Sequence, residues 1–267
     1  MLYFSQEYLS SHQTYSAFHT MKRTGAAVDL VEQDLNDKPK SGVAAVERAL
    51  LIVSVLAGEI PSMTLSELSR ATGLYKSTIL RLLETLVRAR YVTHLNDGRY
   101  ALGPMAGRLG MAYDRINDIS AQIVPVLDDL VAAGTESASF HVPYAEDNRL
   151  CLLRRDSGHS TLDSVRAGQL LPLRGAAGKV VAAYAGAVDL HRSVGADSIV
   201  KSRGERDPSC AGLACPVFGS NGNLIGALSL SGPIDRFTAE NVETMIPLLL
   251  AAAKKLTLVF GGSCRND

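Results

Sequence analysis

Residues 64–102, TLSELSRATGLYKSTILRLLETLVRARYVTHLNDGRYAL, constrain the fold more than any other stretch. Thr64 and Glu67 have the spacing of a capping box, in which the threonine oxygen takes a backbone N–H and the glutamate reaches back. Leu65 and Leu68 then face inward, and Gly73 suits a left-handed helix stop. A second helix is expected over Lys76–Arg88, with Ile79, Leu82, Leu83 and Leu86 as its buried stripe. Its other face carries Ser77, Arg81, Glu84 and Arg88, with Lys76 and Thr78 at the N-terminal end. Short hydroxyls and cations there can reach base edges and phosphates. Residues 91–93 and 99–102 flank Asn96-Asp97-Gly98, a turn signal that closes a hairpin. A helical hairpin with a solvated polar face would share the first part of this pattern. The β-hairpin that follows favours a winged helix-turn-helix.

The chain has 267 residues, enough for one large or two ordinary domains. Apolar residues make up 46%, which supports a packed core. No apolar run approaches the ~18 residues of a membrane span, and residues 1–23 lack the pattern of a secretory signal, so a cytoplasmic location is expected. Cys151, Cys210, Cys215 and Cys264 form no CxxC pair and read as reduced thiols rather than metal ligands or a disulfide framework. Formal net charge is zero, which argues against a protein that coats DNA non-specifically. Between Ser41 and Pro104, however, seven Lys and Arg face five acids, a surplus that suits a small module reading a specific site as part of a dimer.

Residues 1–40 are expected to form a flexible arm and 41–104 the DNA-binding domain. Its first helix is predicted over Val43–Ala57, with Val46, Leu50, Val53 and Leu56 buried and Arg48 within reach of phosphate. From Met105 to Ala133 two apolar series run seven apart: Leu109, Ile116, Ile123, Leu130, and Ala112, Ile119, Val126, Ala133. That seam suggests pairing with another helix. Pro125 should interrupt it, leaving a linker helix over 105–123. Residues 124–261 read as an α+β body. Strands are predicted over 137–142, 150–155, 211–218 and 224–231, with a small-residue helix over 175–186 and a final helix capped by Thr238. Residues 262–267 are left as a tail.

Motifs of catalysis fail one by one. Gly175-Ala-Ala-Gly-Lys lacks the first glycine and the Ser/Thr of a phosphate-binding loop. Asp156-Ser-Gly-His-Ser holds triad residue types, but without a nucleophile elbow. No catalytic, metal-binding or cofactor-binding set is assigned. Binding remains: alternation puts Ser229 and Ser231 on one face of a strand, and Cys210, Gly212 and Ala214 on one face of another. Small residues on adjacent strands leave room for a ligand or close-pack a core.

Several stretches together resemble the isocitrate-lyase-regulator (IclR) family of bacterial transcription regulators. They are Ala45-Val-Glu-Arg-Ala-Leu, Leu65-Ser-Glu-Leu with Gly73-Leu-Tyr-Lys-Ser-Thr, Gly98-Arg-Tyr-Ala-Leu-Gly, Pro172-Leu-Arg-Gly-Ala-Ala-Gly-Lys, Gly204-Glu-Arg-Asp, Ala214-Cys-Pro-Val-Phe and Ala227-Leu-Ser-Leu-Ser-Gly-Pro. The resemblance implies an N-terminal winged helix-turn-helix, a linker helix and a C-terminal GAF-like effector-binding domain built on an antiparallel sheet. It implies dimers or tetramers on double-stranded DNA at near-palindromic operators, controlled by a small effector such as a carboxylate or aromatic acid. On this reading Ser77, Thr78 and Arg81 contact bases or adjacent phosphates. Arg48, Lys76, Arg88, Arg99 and Tyr100 complete the DNA-facing set. The effector positions map onto Ala176, Ala177, Arg203, Glu205, Cys210, Gly212, Ser229 and Ser231. Three departures stand out: Tyr75 replaces the usual proline, the segment 179–204 is shorter than usual, and Arg174 stands where histidine is common. Arg174 or Arg203 would favour an anionic effector. The rival expectations are a regulator that works by oligomerisation alone and a GAF-type enzyme with a regulatory head.

Overall fold

The structure, a computed structural model, describes residues 42–58, 60–117, 119–159, 163–186 and 188–265. The expected arm, 1–40, lies outside them. The chain divides into two compact units between Leu102 and Gly103.

The first unit contains α1 (Ala44–Leu56), α2 (Leu65–Thr72), α3 (Lys76–Arg88), β1 (Val92–His94) and β2 (Tyr100–Leu102). Both halves of the capping box form. Thr64 Oγ1 accepts the Glu67 N–H at 3.2 Å, and Glu67 Oε2 accepts the Thr64 N–H at 2.7 Å. Gly73 stops α2 at φ 66°, a left-handed conformation that glycine adopts without a Cβ penalty. Tyr75 does not shift the start of α3. Its φ of −64° is the angle a proline ring would impose, so the helix opens at Lys76 without one. β1 and β2 pair antiparallel from Val92↔Leu102 to His94↔Tyr100, and Met63 bridges to Tyr100 on the outer side.

The core of this unit joins Ile52, Leu56, Leu68, Ile79, Leu83 and Val92. Here the expected burial of α1 is corrected. Val46 and Leu50 are 53% and 60% exposed, as is Val43 at 65%, while Leu51, Ile52 and Leu56 are buried. Apolar residues surround almost the whole of α1, so spacing alone could not say which stripe meets α2 and α3.

The second unit opens with α4 (Pro104–Asn117) and α5 (Ile119–Ala132). Pro125, expected to interrupt the helix, lies inside α5. Pro125 and Ala121, whose carbonyl loses its intrahelical donor, are both exposed, so water can take that bond. The strands are β3 (Ser137–Ala145), β4 (Asn148–Arg155), β5 (Leu170–Pro172), β7 (Val200–Arg203), β8 (Cys210–Phe218) and β9 (Leu224–Pro233). They form one antiparallel sheet in the order β5-β4-β3-β9-β8-β7.

Alternation divides its two faces. Phe140, Leu213, Cys215, Leu228 and Leu230 pack against α5 and against α7 (Ala239–Val259). Ala214 and Ala227 face α6 (Gly175–Tyr184) on the other side. α6 also lies close to the residues that lead into it. A Cβ on Gly178 would come within 2.5 Å of the Leu173 carbonyl carbon. Residues 263–264, expected in a tail, instead form β10 (Ser263–Cys264), which pairs in parallel with β6 (Ser193–Val194).

Candidate DNA-reading helix and ligand cavity

Burial of Ile79, Leu83 and Leu86 turns the opposite side of α3 outward. Lys76, Ser77, Arg81 and Arg88 are exposed there, with Thr78 half-buried. Arg48 is exposed on α1. None of these four cations has an ion-pair partner among the described residues, so their charges are free for phosphate or base oxygens.

Arg99 and Tyr100 are placed differently. Arg99 Nε donates to Ser62 Oγ at 3.1 Å, and its Nη2 donates to the Ser62 carbonyl at 2.8 Å and to Glu67 at 3.2 Å. Tyr100 stacks on His94 at 4.6 Å between ring centroids and packs against the unit's core. Arg99 thus ties the wing to the start of α2. The carboxylate that caps α2 also collects this cation, which spacing alone did not reveal.

In the second unit, α6, β7, β8 and β9 enclose a cavity. Six of the expected effector residues line it: Ala176, Ala177, Cys210, Gly212, Ser229 and Ser231. Arg203 and Glu205 do not. Odd and even positions of β7 face opposite ways, so Ser202 points at α6, where its Oγ accepts the Ala176 N–H at 2.9 Å. Arg203 is exposed and donates to the Phe237 carbonyl at 3.1 Å, beside the core of the other face. Glu205 forms an ion pair with Lys179 on the surface of α6. Arg174, exposed just before α6, is also absent from the lining.

The titratable groups of the cavity come from positions that motif reasoning passed over: His141, Arg149, Asp163 and Arg206. Asp163, with a fully buried side chain, lies 2.7 Å from Arg154 Nη2 and 3.3 Å from Arg206 Nη2. Arg154 Nε also reaches Asp156 at 2.6 Å. Arg149 is 3% exposed. Its Nη1 donates to the Pro172 carbonyl, and its Nε has no partner. Burial, reinforced by the charge of Arg206, draws its pKa down to about 10, so it stays charged at neutral pH. His141 Nε2 is 2.9 Å from Ser139 Oγ, while its buried Nδ1 has no partner. Burial first, then Arg149, Arg154 and Arg206, hold its pKa well below 6.5, so the ring is neutral. The one available signal was Arg149 in the apolar strand Asn148–Arg155, two positions before the buried Cys151.

This arrangement carries a pH dependence. The unfolded chain protonates His141 near its ordinary value of 6.5, while the folded chain resists it. Below that value the unfolded state therefore binds more protons, and stability falls as pH falls. Thermal unfolding followed from pH 7 to pH 5 should show a slope approaching one proton, about 1.4 kcal/mol per pH unit, from this group. Phenylalanine at position 141 should flatten that slope. An unchanged slope would mean that the folded protein protonates the ring as readily as the unfolded chain does.

Comparisons with known proteins agree with the two-unit organisation. The IclR helix-turn-helix domain model matches residues 45–95, and the model for the bacterial transcriptional regulator IclR C-terminal domain matches residues 192–258. The transcriptional repressor IclR of Escherichia coli is 26% identical over 254 residues, covering 84% of this chain and 93% of its own. Among solved structures, an IclR transcriptional regulator from Alicyclobacillus acidocaldarius superposes with a TM-score of 0.70 at 23% identity, over 83% of this chain and all of the other. An IclR homologue from Microbacterium hydrocarbonoxydans, solved with 4-hydroxybenzoate, gives 0.68 at 19% identity over 80% of this chain and 98% of its own. Both IclR-family domain models match in order, one on the winged helix-turn-helix and one on the antiparallel-sheet unit, so the chain is similar to the IclR family of transcriptional regulators in both units.

Proposed function

We propose that this regulator binds a near-palindromic operator as a dimer or tetramer in the cytoplasm, and that a small metabolite in the cavity controls its hold on DNA. The observation that carries the DNA half is the exposed, unpaired set Lys76, Ser77 and Arg81 on α3, followed by a wing. Support for self-association comes from apolar side chains that stay exposed among the described residues. Val43, just before α1, and Val46 and Leu50 on it form such a stripe, and Leu109 and Met111 are exposed on α4. Two-fold symmetry would place the recognition helices about one helical turn, or a multiple, apart. The cavity supports the effector half, and the Microbacterium homologue with 4-hydroxybenzoate gives it a precedent within the fold.

Coupling between such sites is typically worth about 1–3 kcal/mol, or roughly 5- to 150-fold in affinity. The test is a gel-shift titration on a duplex selected from a random pool, with and without a panel of small metabolites. A several-fold change in operator affinity with one of them is the expected outcome. Operator binding that no metabolite alters would instead favour control by oligomerisation alone.

A further inference from the structure

We propose that Tyr75, at the entrance of α3, is a specificity-determining residue whose ring packs against the 5-methyl group of a thymine in the major groove. The proposal deepens the DNA-reading half of the proposed function and rests on it.

Neither the helix nor the core of its unit accounts for a tyrosine at this position. Residue 75 is the N-cap of α3, where Ser, Thr, Asp and Asn are preferred because their side-chain oxygen accepts a first-turn N–H. Tyr75 makes no such bond. Leu74, one residue earlier, packs against the cluster that holds Ile79, as in a hydrophobic staple, and takes the inward position at the helix entrance. Tyr75 is left 83% exposed, the most exposed large apolar or aromatic side chain among the described residues. Among those residues its ring stacks on no other aromatic, and its hydroxyl and N–H have no hydrogen-bond partner.

The surroundings point to DNA. Lys76 and Ser77, which follow, are exposed, and so is Arg81 further along the helix. These cations draw the phosphates of a duplex to this end of α3. The N-terminal residues of a recognition helix are the ones that meet base edges. There a mostly apolar ring gains from an apolar partner, and the major groove offers one in the thymine methyl. Cytosine in its place lacks that group, so the contact discriminates between the two pyrimidines. Lys76 supplies the neighbouring phosphate contact, which leaves the ring free for the base.

The backbone makes the test clean. Tyr75 already has a proline-like φ of −64° and an unused N–H, so Tyr75→Pro keeps the start of the helix and removes the ring. The experiment is fluorescence-anisotropy titration of the full-length protein, at fixed salt, on a duplex selected from a random pool. Each thymine in turn is replaced by deoxyuridine in both half-sites, which removes only the methyl. One such pair of replacements should weaken the wild-type protein about fifteen-fold, about four-fold for each methyl that loses its apolar contact. Tyr75→Pro should bind the thymine duplex at least that weakly and should not distinguish it from the deoxyuridine duplex. Tyr75→Phe should keep both the affinity and the preference.

Methyl sensitivity retained in Tyr75→Pro, or affinity unchanged in it, would overturn the proposal. So would a loss in Tyr75→Phe as large as in Tyr75→Pro, since the hydroxyl would then carry the contact. A smaller assembly of Tyr75→Pro in sedimentation would make the ring a contact between copies, with the same consequence. The deoxyuridine scan of the wild-type protein needs no variant, and insensitivity at every thymine sinks the idea even if a variant misfolds. Arg81→Ala on the same duplex separates the two readings: a loss there with none in Tyr75→Pro removes Tyr75 alone and leaves the recognition helix in place.

Discussion

Asp163→Ala should lower the stability of the C-terminal unit by about 3–5 kcal/mol, which for a domain of this size lowers its melting temperature by roughly 6–20 °C. The carboxylate is fully buried between Arg154, whose side chain is 4% exposed, and Arg206. Removing it leaves two guanidinium groups facing each other with only the exposed Asp156 nearby. An unpaired buried charge, rather than the lost contact, dominates the cost. Asp163→Asn keeps the volume and removes the charge, so it should act in the same direction. Replacing Asp163 and Arg154 together by apolar residues should recover much of the loss. Differential scanning calorimetry reads all three. An unchanged transition in Asp163→Ala would mean that water satisfies the two arginines and that the ion pairs carry no net stability.

Arg81→Ala should weaken operator binding by an amount that counts twice. A bidentate base contact is worth about 1–3 kcal/mol, and a two-fold protein makes it in both half-sites. The sum, about 2–6 kcal/mol, corresponds to a loss on the order of thirty-fold to ten-thousand-fold. Arg81 is exposed on α3 and has no ion-pair partner among the described residues, so the fold should survive. Circular dichroism should be unchanged while the gel shift is lost. Lys76→Ala should differ in kind. A phosphate contact weakens all duplexes alike and lowers the salt slope by about one per copy. Arg99→Ala should do neither cleanly, because its guanidinium ties the wing to Ser62 and Glu67. Unaltered affinity in Arg81→Ala would take this residue off the reading surface and move attention to Ser77 and Thr78.

Sequence reasoning succeeded where one residue type at one spacing has one physical use. Thr64 with Glu67, Gly73, and the stripe Ile79–Leu83–Leu86 are local codes, and each appears in the structure as expected. Strand alternation likewise put Ser229 with Ser231, and Gly212 with Ala214, on one face each, and the pairing sets Ser229 opposite Ala214 and Ser231 opposite Gly212. It failed where several stripes were equally apolar, as on α1, and where a polar side chain had more than one destination. Arg203 looked like an effector contact because it lies beside the resembling loop. Its strand position turns it to the opposite side of the sheet, toward Phe237.

What the sequence alone determined is the DNA-reading half: its signals lie within some forty consecutive residues, where helix and hairpin periodicity fix which side chains face out. The chemistry of the cavity was decided only by tertiary structure. His141, Arg149, Asp163 and Arg206 come from a central strand, its neighbour and two separate loops, and no spacing links them. Antiparallel pairing of β3 with β4, and the packing of α6 onto the same face, bring them together. A charge acquires its meaning from burial and from its neighbours, and both are properties of the folded chain.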